Sequence, residues 1–122
     1  MGMIATTTKS RKAKARALQN LIASDICMAF PSLGLADVHP AIMGQSGIDV
    51  HLSTRARDLF PFAIECKNQE SIRIWQAIKQ SEVNAEKEQL TPLLVIKRNR
   101  TAPYVVLRWD PFLHLLTPRG AK

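Results

Sequence analysis

Apolar positions along this chain follow two rhythms, and the switches between them mark its elements. From Ser10 to about Ala29 the residues Ala13, Ala17, Leu18, Leu21, Ile22 and Ile26 recur three or four apart, the spacing of one helix face. Ser10 is a natural N-cap, and Pro31 and Gly34 close the run. The period then shortens. Val38 to Met43 and Ile48 to Leu52 read as two short strands joined through the turn signal Gly44-Gln45-Ser46-Gly47, a hairpin. Ser53 to Leu59 is a polar connection or short helical turn, and Phe60 to Lys67 is apolar on both faces, as a central strand is. Glu70 to about Glu88 returns to the helical period, offering Ile72, Trp75, Ile78 and Val83 to a core, with Trp75 expected inside it. Leu93 to Lys97 and Tyr104 to Trp109 are β runs, and Asp110-Pro111 opens a terminal helix through about Leu116. The expected order is α-β-β-β-α-β-β-α, an α/β domain over residues 10–116. Residues 1–9 are expected to be a disordered basic N-terminus and 117–122 a flexible tail.

Length and composition narrow the class. A chain of 122 residues is long enough for one core, and 46% hydrophobic with 22% charged residues is ordinary for a globular protein. No apolar stretch nears the roughly 20 residues that span a bilayer, and the first residues show no secretion signal, so a soluble protein without a membrane partner is expected. Cys27 and Cys66 fit no metal spacing and lie in apolar contexts, which suits reduced thiols in a cytoplasm. The net charge of +7 adds a partner. A small basic domain attracts polyanions, DNA foremost, although acidic proteins and anionic membranes share that property. Lys9, Arg11, Lys12, Lys14 and Arg16 cluster at the start of the first helix, where positive charge opposes the helix dipole and so serves a partner better than stability. Lys97, Arg98 and Arg100 form a second cluster.

The candidate chemistry lies where the apolar strand ends. Successive side chains of a strand alternate faces, so Glu65 and Lys67 project together, about 7 Å apart, while Cys66 points oppositely. If Asp49 ends the neighbouring strand on that surface, two carboxylates converge beside an ammonium. Such a pair suits Mg2+, with Mn2+ as substitute, and the backbone carbonyl of Cys66 offers a further oxygen. A metal there would lower the pKa of a coordinated water and neutralise charge on a scissile phosphate, leaving Lys67 to hold or deprotonate that water or to stabilise the transition state. A carboxylate-x-Lys triplet arises by chance about once in a chain of this length. Its weight comes from standing at the end of an apolar strand, where a charge pair needs a purpose or a structural partner. His51 is expected to share the face of Asp49, to contact phosphate or to face solvent. Arg73, Gln76, Gln80 and Asn84, three or four apart, form one stripe of hydrogen-bonding side chains. Arg55, Arg57, Lys97, Arg98 and Arg100 are candidate phosphate contacts.

In sequence order, Gly44-Gln45-Ser46-Gly47-Ile48-Asp49-Val50, then Ile64-Glu65-Cys66-Lys67-Asn68-Gln69, then a helix bearing Trp75 and Gln80 resembles the PD-(D/E)XK nuclease superfamily. The likeness is strongest to its small phage-type endonucleases and Holliday-junction resolvases. That resemblance implies a restriction-endonuclease-like core, a mixed central sheet flanked by helices, with Asp49, Glu65 and Lys67 catalytic. It also implies a supporting role for Gln76 or Gln80, of which Gln80 is preferred as a further catalytic residue. Ser46, Asn68 and Arg73 join the basic residues as expected DNA contacts. Many resolvases of the superfamily carry a metal-binding glutamate on the first helix; here the inward candidates are Gln19 and Asp25, with Gln19 at the corresponding place. The implied activity is magnesium-dependent cleavage of branched or structured DNA by a homodimer in the cytoplasm of a phage-infected host. The same residues would serve a nicking or restriction-type nuclease, and a DNA-holding module that does not cut is the alternative class.

Overall fold

The structure, a computed structural model, describes residues 7–42 and 47–118. Helix α1 (Thr8–Ala29) begins two residues before Ser10, because Thr7 is its cap: the Thr7 Oγ1 accepts the Ser10 N–H at 3.0 Å. A hairpin of β1 (Val38–Pro40) and β2 (Val50–Leu52) follows, pairing Val38 with Leu52 and His39 with His51. The polar stretch after it is a helix, α2 (Thr54–Leu59), capped by the Ser53 hydroxyl on the Ala56 N–H. Then come β3 (Phe62–Asn68), α3 (Ile74–Glu88), β4 (Thr91–Lys97), β5 (Tyr104–Val106) and α4 (Trp109–Leu116).

Strand order β3-β4-β5 makes a mixed sheet, β3 parallel to β4 and β4 antiparallel to β5. Parallel neighbours need a crossover, and α3 provides it. The expected α/β architecture is therefore present, with one helix more than anticipated.

Period-two alternation divides β3 between two layers. Phe62, Ile64 and Cys66 join Leu93 and Val95 in the main core, under Leu18 and Ile26 of α1 and beside Val38, Val50 and Leu52 of the hairpin. Ala63, Glu65 and Leu94 are buried on the other side, towards α3. The face that α3 buries consists of small residues, Ala77, Ser81 and Ala85, spaced by one turn. Small side chains let helix and sheet approach closely, so bulky ones are excluded from that face.

This overturns the placement of Trp75. Two residues before Ala77 is about 200° around the helix, and Trp75 is 82% exposed. Val83 is exposed for the same reason. Within α1, Ala13, Ala17 and Leu21 are exposed and the buried stripe is narrower than expected, Leu18, Ala23 and Ile26.

Residues 69–73 do not extend α3 back to Glu70. The Gln69 N–H continues the ladder to the Lys97 carbonyl at 3.0 Å, and the Glu70 carboxylate accepts the Asn99 N–H, holding this stretch off the helical path. Strand β5 is likewise shorter than its apolar run, ending at Val106. The helix α4 opens at Trp109 and admits Pro111 in its first turn, where backbone N–H groups lack helical partners. It buries none of its residues; Trp109, Leu115 and Leu116 are more than half exposed. No helix among the described residues is long and apolar enough to cross a membrane.

The Ser81 hydroxyl is buried against the sheet without a hydrogen-bond partner among the described residues. Removing an unsatisfied buried group recovers its desolvation cost, so Ser81→Ala is expected to raise the unfolding free energy by about 1 kcal/mol. A urea titration showing a lower midpoint for Ser81→Ala would contradict that packing.

Candidate active site

Asp49 stands immediately before β2 and binds two elements at once. Its N–H donates to the Ile64 carbonyl of β3 at 2.9 Å, and its carbonyl accepts the Ala41 N–H at 2.9 Å. The Cys66 N–H donates to Asp49 Oδ2 at 2.7 Å. Asp49 thus hydrogen-bonds the hairpin to β3, with its carboxylate drawn onto the strand that carries Glu65. Gly47, just before, has φ of 116°, a conformation that glycine adopts without strain.

Glu65 is 5% exposed on the α3 side of β3. Asn84 Nδ2 of α3 donates to its Oε1 at 3.1 Å, and Lys67 Nζ lies 3.9 Å from its Oε2. Burial raises the Glu65 pKa to about 7, with repulsion from Asp49 adding to it and Asn84 and Lys67 opposing. The Asp49 carboxyl is also raised by burial, against the pull of the Cys66 N–H and Lys67. Burial likewise pushes the Cys66 thiol up, and its side chain faces the α1 core, so it is no nucleophile here.

Two carboxylates that repel one another in a half-dry place form a donor set suited to a hard cation. Among the described residues no group of three or more His, Cys, Asp or Glu could hold a metal. A two-carboxylate set fits magnesium, which keeps positions for water and phosphate oxygens, better than the all-protein cage of a structural zinc.

Both carboxylates and Lys67 line a cavity of about 550 Å3 whose walls include Arg11 and Lys14 of α1, Gln19 and Gln80. Gln19 and Gln80 thus line the same cavity as the two carboxylates, whereas Asp25 is exposed elsewhere. Arg73 and Gln76 line an adjoining hollow that shares Lys67, Gln69 and Gln80 with the first. Asn68 reaches the first cavity, yet its amide donates to the Lys14 carbonyl at 2.9 Å and ties the end of β3 to α1. Lys97, Arg98 and Arg100 line a further cavity that meets the first at Gln69 and Glu70.

Other expected contacts fall elsewhere. Arg16 donates to the Ala41 carbonyl at 3.0 Å, and Arg55 to that of Ser32. Arg57 bonds the Leu52 carbonyl and pairs with Glu88 at 2.7 Å. These three cations meet internal acceptors, which charge alone does not reveal. Lys9 and Lys12 are exposed on α1, outside the cavity. His51 does not join Asp49; it stacks on His39 across the hairpin, ring centroids 4.7 Å apart, and burial and the neighbouring His39 and Arg57 lower its pKa. Ser46 lies outside the described residues. Asn84 was legible as part of the amide stripe, one turn beyond Gln80, but its hold on Glu65 depends on how α3 crosses β3.

No curated protein and no solved structure matches the chain. A family model described as phage putative PDDEXK endonuclease matches residues 38–119, from β1 past α4. The matched span includes Asp49, Glu65, Lys67, Gln80 and Asn84, and leaves α1 with Gln19 outside. With two thirds of its length so matched, the chain belongs to the phage putative PDDEXK endonuclease family.

Proposed function

We propose that this protein is a magnesium-dependent DNA endonuclease acting on branched or otherwise structured DNA in phage recombination or DNA processing. The observation that carries the reading is the Asp49–Glu65 pair, held on one strand edge beside Lys67 in a cavity walled by Arg11 and Lys14. Asp49, Glu65 and the Cys66 carbonyl would hold the cation, with manganese as substitute. Bound there, the metal would acidify a water and neutralise charge on the phosphate.

The chain's own residues do the rest. The Cys66 N–H fixes one oxygen of Asp49, and the Asn84 amide fixes Oε1 of Glu65, so neither carboxylate turns away from the cavity. Lys67, only partly exposed, presents its ammonium to the phosphate oxygen on which negative charge develops, or holds the attacking water. Gln80 stands between the two hollows, placed to orient water or a phosphate oxygen, and Gln19 supplies a neutral amide rather than a second acid. Arg11, Lys14, Arg98 and Arg100 extend positive charge along the approach, which favours backbone and shape recognition over base reading.

A second copy is the partner this reading assigns to the uncovered α4. That helix follows β5 after two residues, the outer edge of β5 is unpaired among the described residues, and a two-fold pair would present two sites to a symmetric junction. Sedimentation of the full chain is expected to give a dimer that Leu115→Asp converts to monomer; a wild-type monomer at micromolar concentration would remove the homodimer.

Incubation with a labelled four-way junction and a linear duplex is expected to give magnesium-dependent cleavage that chelator abolishes, the junction being preferred. Asp49→Asn, Glu65→Gln and Lys67→Ala should each lower the rate at least about 100-fold while DNA binding is kept. Binding without cleavage by the wild type would favour the DNA-holding alternative, and preferred nicking of linear duplex would favour the restriction-type one.

Electrostatics supplies an independent readout. Without metal the folded-state pKa of Glu65, about 7, exceeds its ordinary 4.5, so the folded state binds more protons between those values. The stability this provides is full below 4.5 and is lost as pH rises through 7. In chelator the melting temperature of the wild type should fall from pH 5 to pH 8, and Glu65→Gln should flatten that fall. Magnesium at pH 8 should restore the wild type and leave Glu65→Gln unmoved; equal magnesium shifts in both would argue against a cation held by Glu65.

A further inference from the structure

Beyond the carboxylates lies a larger concavity whose apolar part has no role in the cleavage reaction. It has a volume of about 620 Å3 and lies between the segment before α3 and the β4–β5 connection. Its cations are Lys97, Arg98 and Arg100, while Ile72, Ile96 and Tyr104 give it an apolar part. We infer that this cavity binds an unpaired nucleotide flanking the cleaved phosphate, its base stacked on Tyr104 and its backbone held by Arg98 and Arg100. The inference deepens the nuclease reading and rests on it, naming the substrate as DNA with a single-stranded segment beside the cut.

Register carries the argument. Lys67 pairs with Ile96 across β3 and β4, and Ile96 pairs with Tyr104 across β4 and β5. Cross-strand partners share a face, so Lys67, Ile96 and Tyr104 form one row pointing to the α3 side. Two strand spacings put Tyr104 about 10 Å from Lys67, within reach of a strand that leaves the cavity of the carboxylates. The two cavities meet at Gln69 and Glu70, so the path is continuous.

Charge along that path favours an anion. Among the described residues Glu70 is the one acid lining this cavity, and its carboxylate already accepts the Asn99 N–H and lies 3.9 Å from Lys14 Nζ. Neither guanidinium of Arg98 and Arg100 meets a carboxylate among the described residues. The turn that presents them is closed by the Thr101 N–H on the Arg98 carbonyl at 3.2 Å and the Arg98 N–H on Thr101 Oγ1 at 3.2 Å. It holds Arg100 at φ of 67°, where a residue other than glycine is strained.

An apolar floor offers nothing to phosphate. Tyr104 is 65% exposed and packs against no other ring among the described residues, leaving its face open. Bases inside a duplex are already stacked, so an open ring flanked by cations fits an unpaired base, as in proteins that hold single strands.

The test is binding of the full chain, in chelator, to a blunt duplex and to the same duplex with a five-nucleotide single-stranded tail, followed by fluorescence anisotropy. Wild type is expected to bind the tailed duplex about tenfold tighter, Tyr104→Phe to keep that preference and Tyr104→Ala to lose it. A tail of abasic nucleotides, tested on the wild type, should lose it too. Equal affinity for blunt and tailed duplex, or full preference for the abasic tail, would overturn the inference. Cleavage with magnesium is scored separately: a preference for the intact tail with no cleavage of any substrate would sink the nuclease reading and leave the nucleotide site standing.

Discussion

The free edge of β3 is the constraint from which the site follows. One edge pairs with β4; along the other, the Ile64 carbonyl and the Cys66 amide need partners, since buried backbone groups left unpaired are costly. Asp49 serves both, the first with its own N–H and the second with its carboxylate. A side chain recruited to finish a sheet is thereby pressed towards Glu65, and the repulsion between the two is the price of that junction. Lys67 and Asn84 reduce it, and a divalent cation would remove it.

The layers on either side of β3 divide the labour. The α1 side is bulky and dry, with Leu18, Ile26, Ile64 and Val95 among the core residues. The α3 side is thin, because Ala77, Ser81 and Ala85 bring the helix backbone near the sheet. That closeness is what lets an amide as short as that of Asn84 reach Glu65. Where α3 stops short at Ile74, the sheet face opens into the row of Lys67, Ile96 and Tyr104.

Much of this was legible because strands are simple. Period two puts Glu65 and Lys67 on one face and Cys66 on the other, whereas Asp49 beside them could be read only as a condition, because its bonds to Ile64 and Cys66 are long-range. Helix faces were harder. The apolar residues of α3 suggested a face containing Trp75, whereas the buried face is made of small residues that hydropathy barely marks. Cations were hardest: Arg16, Arg55 and Arg57 look no different in sequence from Arg11 and Lys14, yet distant carbonyls and Glu88 occupy them. Which charges remain for a ligand depends on long-range contacts, not on local pattern.

The parallel pairing of β3 with β4 also sets a timetable. Asp49, Glu65 and Lys67 leave the ribosome before α3 and β4 do, yet β3 has no sheet partner until the segment after Glu88 has emerged. A nascent chain therefore displays each of these residues before the scaffold that orders them exists. Long-range strand pairing makes completion of the centre a late step of synthesis, so a ribosome stalled before Lys97 carries the charged groups without the architecture that unites them.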